Sequence, residues 1–417
     1  MSKEKFISFI ICILPIAYIY AFPILINNLG HALLLFFVFP LLFLDFIYYN
    51  RNNKLPYTQP YLLFCFYLIL ISLLAPAINA FSGDTKELLS AAEFSVIVYF
   101  LITNRRLSQQ FIDVYTRLAV FFALFLLLQY VAFVFFNIRI SGVIPFLKFY
   151  NREVESIGEG RLLRICSLFA ESSHFAVYEI PALIMYLFKK AHQKNILLKI
   201  VIISLSILLS TSSNGLIIMI IAYFAFIVYK YYRRINLLYF ILGGIILLGA
   251  FYFISKSKFI DDVTYGLFVQ EVDMTTSKAE MRIYRGFNMY VDLPLDKQLF
   301  GVGWRNAQRY CRSCNKALYN TYYADVFDYF NSIAGSLIYS GIIGCFLLCL
   351  FFYNLFKHTN DFATRTLVIC VFILMGTSSV LMSDQWVFFM AAIISMINKC
   401  KNEENYHHSI TQRDGHR

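Results

Sequence analysis

Long apolar runs separated by short polar clusters dominate the chain. A bilayer core about 30 Å thick is crossed by about 20 apolar residues of helix. Runs meeting that need are 6–26, 30–49, 61–79, 115–137, 236–254 and 330–356; shorter or weaker ones are 88–103, 174–188, 362–379 and 384–398. As one helix, the stretch 196–229 would be about 51 Å long at about 1.5 Å per residue, too long for one comfortable crossing. The polar cluster Ser210-Thr211-Ser212-Ser213-Asn214-Gly215 divides it into two spans joined by a hairpin. A transmembrane barrel would show alternating segments of about ten residues. Continuous runs instead require helices, which satisfy their own backbone in lipid. The pattern therefore predicts an all-α polytopic membrane protein with about 12 transmembrane helices, in a range of about 10–12. The first run is longer than the apolar core of a signal peptide and no A-x-A-like site follows, so it is expected to stay as a helix.

Composition narrows the class. Of 417 residues, 59% are hydrophobic and 15% charged, with 44 Phe and 30 Tyr. Soluble domains carry about 25% charged residues, so a single water-soluble globule, a disordered chain and a coiled coil are excluded. The net charge of +11, from 36 Lys+Arg against 25 Asp+Glu, would on a soluble protein suggest nucleic acid. Its location says otherwise. In a twelve-span threading, twenty basic residues fall on the side of the N-terminus, and the short loops opposite contribute only Lys86. By the positive-inside rule both termini are expected to be cytoplasmic (N-in/C-in), with two long extracytoplasmic loops, 138–173 and 255–329. The positive charge then faces anionic inner-leaflet lipid, and no nucleic-acid partner is expected.

The expected organisation is helices 1–5 in 1–137, the first long outer loop in 138–173, helices 6–9 in 174–254, the large outer loop in 255–329, helices 10–12 in 330–398 and a cytoplasmic tail in 399–417. The cytoplasmic face has no room for a catalytic domain and no Walker-type phosphate loop. Chemistry is expected in the membrane or on its outer face, driven by a substrate already there.

The two long loops hold the candidate chemistry. Loop 255–329 carries Arg282, Arg285, Arg305, Arg309 and Arg312. The planar guanidinium fork suits phosphate; the alternative is a solvated loop whose arginines pair with Asp261, Glu271, Glu280 or Asp292. The end of loop 138–173 brings Arg164, Glu171 and His174 to the mouth of a span. A carboxylate and an imidazole at (i, i+3) share a helix face, and a carboxylate at a half-buried membrane edge suits a general base. The alternative is that Ser172 or Ser173 caps the helix while Glu171 sits on its positive end.

Within spans, Asp45, Glu93 and Glu179 are functional candidates by default. Asp45 lies near a cytoplasmic end and can reach water there; Glu93 and Glu179 suit an internal polar lining. The outer C-x-x-C, Cys311 and Cys314, lacks the second ligand pair of a zinc site. It reads as a local disulfide or as two free thiols.

The segment Arg164-x-x-Ser167-Leu168-Phe169-Ala170-Glu171-Ser172-Ser173-x-x-Ala176 resembles the R..S.F.EPS..A segment of bacterial O-antigen and capsular polysaccharide polymerases, the Wzy-type family. The order of later features is similar too. The Thr211–Gly215 hairpin follows, then Arg282 and Arg285 ahead of Phe300-Gly301-Val302-Gly303-Trp304, then Asn331 through Tyr339-Ser340-Gly341-Ile342-Ile343-Gly344. The resemblance covers roughly residues 160–345. Ser172 stands where many relatives have Pro, and Asn214 where many have Arg. The His-x-Asn of the related O-antigen ligases is replaced by Asp328-Tyr329-Phe330-Asn331, which favours polymerase over ligase.

The resemblance implies a glycosyltransferase; no Asp-x-Asp-like metal pair stands out in the outer loops, so neither metal nor cofactor is expected. Its implied substrates are undecaprenyl-pyrophosphate-linked oligosaccharides, donor and acceptor, at the outer face of a bacterial cytoplasmic (inner) membrane. Membrane lipid and a chain-length regulator are the implied partners. Arg164 and Arg285 are the first choices for the departing pyrophosphate, with Arg282 and Arg305 next. Glu171, then Asp328, then His174 are the choices for the base that takes the acceptor proton. Trp304, Tyr322 and Tyr323 are stacking candidates for sugar rings, or loop core. The alternatives are an O-antigen ligase and, in another class, a transporter or flippase of lipid-linked sugars.

Overall fold

The computed structural model describes residues 2–21, 29–50, 57–104, 106–107, 109–144, 147, 165–188, 195–231, 278–322 and 330–414. Among them every extended regular element is helical. In chain order these are α1 (Lys3–Ala17), α2 (Leu29–Tyr48), α3 (Thr58–Ile78), α4 (Thr85–Thr103), α5 (Gln109–Phe136), α6 (Ser172–Leu187), α7 (Ile196–Leu209), α8 (Ser213–Tyr231), α9 (Lys278–Asp292), α10 (Leu295–Phe300), α11 (Ala307–Cys314), α12 (Lys316–Tyr322), α13 (Ser332–Lys357), α14 (Phe362–Thr377) and α15 (Asp384–Asp414). Five of them, α2, α3, α5, α8 and α13, are long and apolar enough to cross a membrane. The protein is thus an all-α membrane protein. The expected span 236–254 lies outside the described residues.

Helix limits follow local chemistry. Asp84 caps α4 by accepting from the backbone N–H of Lys86 and Glu87 at 3.1 and 3.2 Å. Asn331 caps α13 through Ala334 N–H at 2.8 Å, and Asp361 caps α14 through Thr364 N–H at 2.9 Å. Each cap satisfies a helix-start donor that has no partner inside the helix. The 196–229 stretch breaks where its polar cluster lies: α7 ends at Leu209, and Thr211 takes a left-handed φ of 53° before α8. α1 is shorter than the run 6–26, since the chain leaves the helix at Tyr18.

The chain forms two compact units. Unit 1 holds Met1–Leu118, Leu147–Tyr150 and Arg282–Arg417; unit 2 holds Ala119–Phe146 and Asn151–Met281. α5 contributes its first part to one and its remainder to the other.

In unit 1, α3 packs on α13 and α4, and α15 packs on α4, α1 and α14. The buried start of α15 supplies Trp386, Phe388 and Phe389 to the core. Polar groups clamp one end of the unit. Lys3 Nζ lies 2.8 Å from Asp45, Asn104 donates to Asp45 at 3.4 Å, and Asn398 donates to the carbonyls of Asn104 and Leu107 at 2.8 and 3.1 Å. Asp45 therefore does not reach into water: its side chain is 2% exposed and is neutralised by Lys3. A buried carboxylate needs such a partner.

In unit 2, α6 packs on α7 and α8. Its core is aromatic: Phe169 meets Phe122, Phe175 and Tyr178 with ring centroids 4.9–5.8 Å apart. Glu179 is fully buried in this unit.

Candidate functional site

In unit 2, the segment leading into α6 is fastened to α5. Ser167, at a left-handed φ of 55°, donates through Oγ to Phe122 O at 3.0 Å. Gln129 donates to Ile140 O at 3.1 Å and Ser167 O at 3.4 Å. These bonds hold the strained turn and deliver Glu171 to the first position before the helix. Glu171 is itself the N-cap, with extended φ −140° and ψ 153°. Its side chain makes no capping bond to backbone; Ser173 Oγ donates to its Oε2 at 3.0 Å. His174 Nε2 stands 4.0 Å from the same oxygen, and both side chains are partly open, at 32% and 26% exposure. The expectation that Ser172 or Ser173 caps α6 is thus corrected: both lie inside the helix. A carboxylate held by a hydroxyl beside an imidazole can accept a proton from a bound hydroxyl group.

The polar hairpin between α7 and α8 comes to the same end of α6. Gly215 lies so close to Ala176 that any Cβ would collide with it. Ser212 Oγ accepts from Gly215 N–H at 3.3 Å, turning the chain into α8.

In unit 1, the Gly-Val-Gly-Trp segment after α10 is locked to a break in α13. Gly341 interrupts that helix with φ 63° and ψ −174°. Such a break leaves carbonyls in the preceding turn without their usual intrahelical donors. Val302 and Gly303 supply N–H groups to Ile338 O and Tyr339 O at 3.0 and 2.9 Å. Gly301 and Gly341 both have left-handed φ, and a Cβ on either would strike backbone, of Tyr339 or of Leu299 respectively. The two glycine motifs are thus one contact. On its other side, Trp304 N–H donates to Ser72 Oγ on α3 at 2.7 Å.

The arginines divide by partner. Arg305 pairs with Glu87 at 3.1 Å. Arg309 pairs with Asp84 at 2.6 Å and donates to Gly83 O at 3.0 Å. Pairing with carboxylates occurs, but with those of the 84–87 turn. Asp292 accepts instead from the Tyr322 hydroxyl at 2.5 Å, while Arg285 donates to the Tyr322 carbonyl. Burial lowers the Arg285 pKa, opposed by Tyr322. Burial and then the Asp292 carboxylate raise that of Tyr322. Asp296 is held below the usual carboxylate range by its bond to Lys297.

Trp304 and Tyr322 are loop core: Trp304 is buried and meets the Tyr339 ring edge-on at 5.2 Å. Cys311 and Cys314 are free thiols on α11, the first buried and the second exposed. Arg164, Asp328 and Tyr323 lie outside the described residues. Arg282 lies in the first turns of α9, and its side chain is likewise outside the description. Sequence reasoning marked Glu93 but missed its partner, His31, whose Nδ1 lies 2.8 Å away. The sequence signal for it was slight: each residue falls near the start of its apolar run, 30–49 for His31 and 88–103 for Glu93.

No protein-family model matches this chain, and no curated protein is significantly similar to it.

Proposed function

We propose that this protein is a Wzy-type polymerase: a metal-independent glycosyltransferase of about 10–12 spans, N-in/C-in, in the bacterial inner membrane. It transfers a growing glycan from undecaprenyl pyrophosphate to the terminal sugar of another lipid-linked repeat unit at the outer face. The acceptor oxygen attacks the donor's anomeric carbon, the carbon–phosphate oxygen bond breaks, and the pyrophosphate leaves on its lipid. Glu171 takes the acceptor proton, with His174 beside it. Arg164 and Arg285, then Arg282, meet the charge that develops on the leaving group; Arg305, already paired with Glu87, is not needed for that role.

The observation carrying this reading is the Glu171–Ser173–His174 cluster, with the Ser212–Gly215 hairpin packed one turn along the same helix. Both belong to the stretch that resembles the family. The contact between Gly301–Trp304 and the Gly341 break adds a second pair of resembling segments that meet.

The test is purified full-length protein given synthetic polyprenyl-pyrophosphate-linked repeat units of the cognate glycan. Products lengthened by whole repeat units are expected. No lengthening overturns the proposal. Passage across a vesicle membrane without a new glycosidic bond would identify a transporter. Transfer only onto a lipid A core would identify a ligase.

A further inference from the structure

Unit 1 contains a cavity of about 990 Å³ bordered by α2, α4 and the start of α15. Ligand cavities commonly span about 300–1,000 Å³. Part of its wall carries ionisable groups of both signs: Glu87, Glu93 and Asp384 with Lys86, Arg305 and His31. Two contacts organise them. His31 Nδ1 lies 2.8 Å from Glu93 and 3.2 Å from the Tyr18 hydroxyl, and Arg305 lies 3.1 Å from Glu87.

Other parts of the wall are apolar and open. Leu35, Leu89 and Val96 line the cavity yet are 39%, 70% and 38% exposed. Leu35 shares α2 with Phe36 and Phe43, which are also exposed. The cavity therefore opens between exposed apolar side chains of α2 and α4, and α2 is one of the helices apolar enough to cross a membrane.

An occupant must be apolar where it meets Leu35 and Val96 and ionic where it meets Glu93 and Arg305, which is the character of a membrane amphiphile. The charge pattern selects its head. A purely anionic head would enter against three carboxylates. A purely cationic one would enter against Lys86 and Arg305. Like charges brought together repel, the more so where water is partly excluded. A head carrying both signs meets a complement for each. A primary ammonium also offers three N–H donors to carboxylate oxygens, whereas a quaternary one offers none.

We propose that this cavity binds a zwitterionic phospholipid with a primary ammonium head. The phosphate lies toward Lys86 and Arg305, the ammonium toward Glu93 and Asp384, and a hydrocarbon chain leaves past Leu35 and Val96. This site goes beyond the proposed polymerase activity and does not depend on it.

The test is native mass spectrometry of the purified full chain, exchanged into detergent with equal phosphatidylethanolamine, phosphatidylcholine and phosphatidylglycerol. Phosphatidylethanolamine should be retained about tenfold over the other two, the worth of one charge-assisted hydrogen bond. Glu93→Gln with Asp384→Asn should abolish that preference. Leu89→Trp fills part of the cavity while leaving every charged group in place and should remove phosphatidylethanolamine retention. Phe346→Ala, at an exposed position on α13 outside the cavity lining, should leave it unchanged. Equal retention of all three lipids, a preference for the glycerol or choline head, or wild-type retention in Leu89→Trp would overturn the proposal. Glycan polymerisation plays no part in this readout, so the two readings fail separately.

Discussion

The backbone N–H of Trp304 donates to the Ser72 hydroxyl at 2.7 Å although 232 positions separate them. That bond fixes the register of the segment after α10 on α3, with Gly303 pressed against the Ser72 backbone. Ser72→Ala leaves a buried N–H without its acceptor, at a cost of about 1–3 kcal/mol. Thermal unfolding of the purified protein should shift downward accordingly. An unshifted transition would show that the bond contributes nothing.

Gly341→Ala should be worse. Its φ of 63° and ψ of −174° belong to a region almost reserved for glycine. An added methyl would also strike the Leu299 carbonyl. Strain of about 1–3 kcal/mol then adds to lost docking of Val302 and Gly303. Limited proteolysis between α10 and α11 should accelerate in this variant. Gly376→Ala, on α14 where an added methyl meets only an ordinary contact with Ile333, should leave that rate nearly unchanged. Equal protection in both variants would remove the proposed lock.

Arg309 and Asp84 make a partly exposed pair at 2.6 Å. A double-mutant cycle on Arg309→Ala and Asp84→Ala should return a coupling of about 0.2–1 kcal/mol, as such pairs do. Asp84→Ala alone should cost more than Arg309→Ala, because Asp84 also caps α4. The reverse order would disprove the double role.

Burial pushes the Cys311 thiol up to about 12, and the neighbouring Cys314 adds to the rise. A raised thiol pKa keeps the protonated, unreactive form through neutral pH; thiolate appears only as pH climbs toward that value. A membrane-impermeant maleimide should therefore label exposed Cys314 and spare Cys311 at about pH 7.5 and still at about pH 9. Given to intact cells, it should spare Cys400 if the C-terminus is cytoplasmic. Mass spectrometry of the peptides carrying Cys311, Cys314 and Cys400 reads both outcomes. Prompt labelling of Cys311 would contradict its burial.

For the proposed activity, Glu171→Gln should lower the polymerisation rate by about 10²–10⁴, the usual worth of a general base. His174→Ala should cost less, since its imidazole stands 4.0 Å from the carboxylate. Binding of the lipid-linked donor should persist in both. Normal polymerisation by a folded Glu171→Gln variant would remove Glu171 from the mechanism.

Much of the helical layout was readable because burial in hydrocarbon demands long apolar runs, and polar clusters interrupt them. The break between α7 and α8 is the clearest instance: six consecutive small or polar residues cannot continue a lipid-facing helix at no cost. Glu171 and His174 were readable as neighbours because helical periodicity places residues three apart on one face. Sequence could not say that Glu171 would be the cap itself, since that depends on the turn at Ser167 being held by Phe122 and Gln129 on α5.

Charge partners were the hardest to anticipate. Arg305 and Arg309 choose Glu87 and Asp84, more than two hundred positions away, and Asp292 turns to Tyr322. A sequence records which residues are charged, and only the packing of α3, α4 and α11 decides which of them meet. His31 and Glu93 make the same point, being ordinary residues in two separate runs until α2 and α4 bring them to 2.8 Å. Composition and periodicity alone determined an all-helical membrane protein, because the backbone in lipid must satisfy itself. The tertiary structure decided the rest: it joined two distant glycine motifs at one helix break, buried Asp45 against Lys3, and gathered six ionisable side chains around one cavity. Hydrogen bonds and ion pairs are short-ranged and directional, so their partners are chosen only when the helices pack.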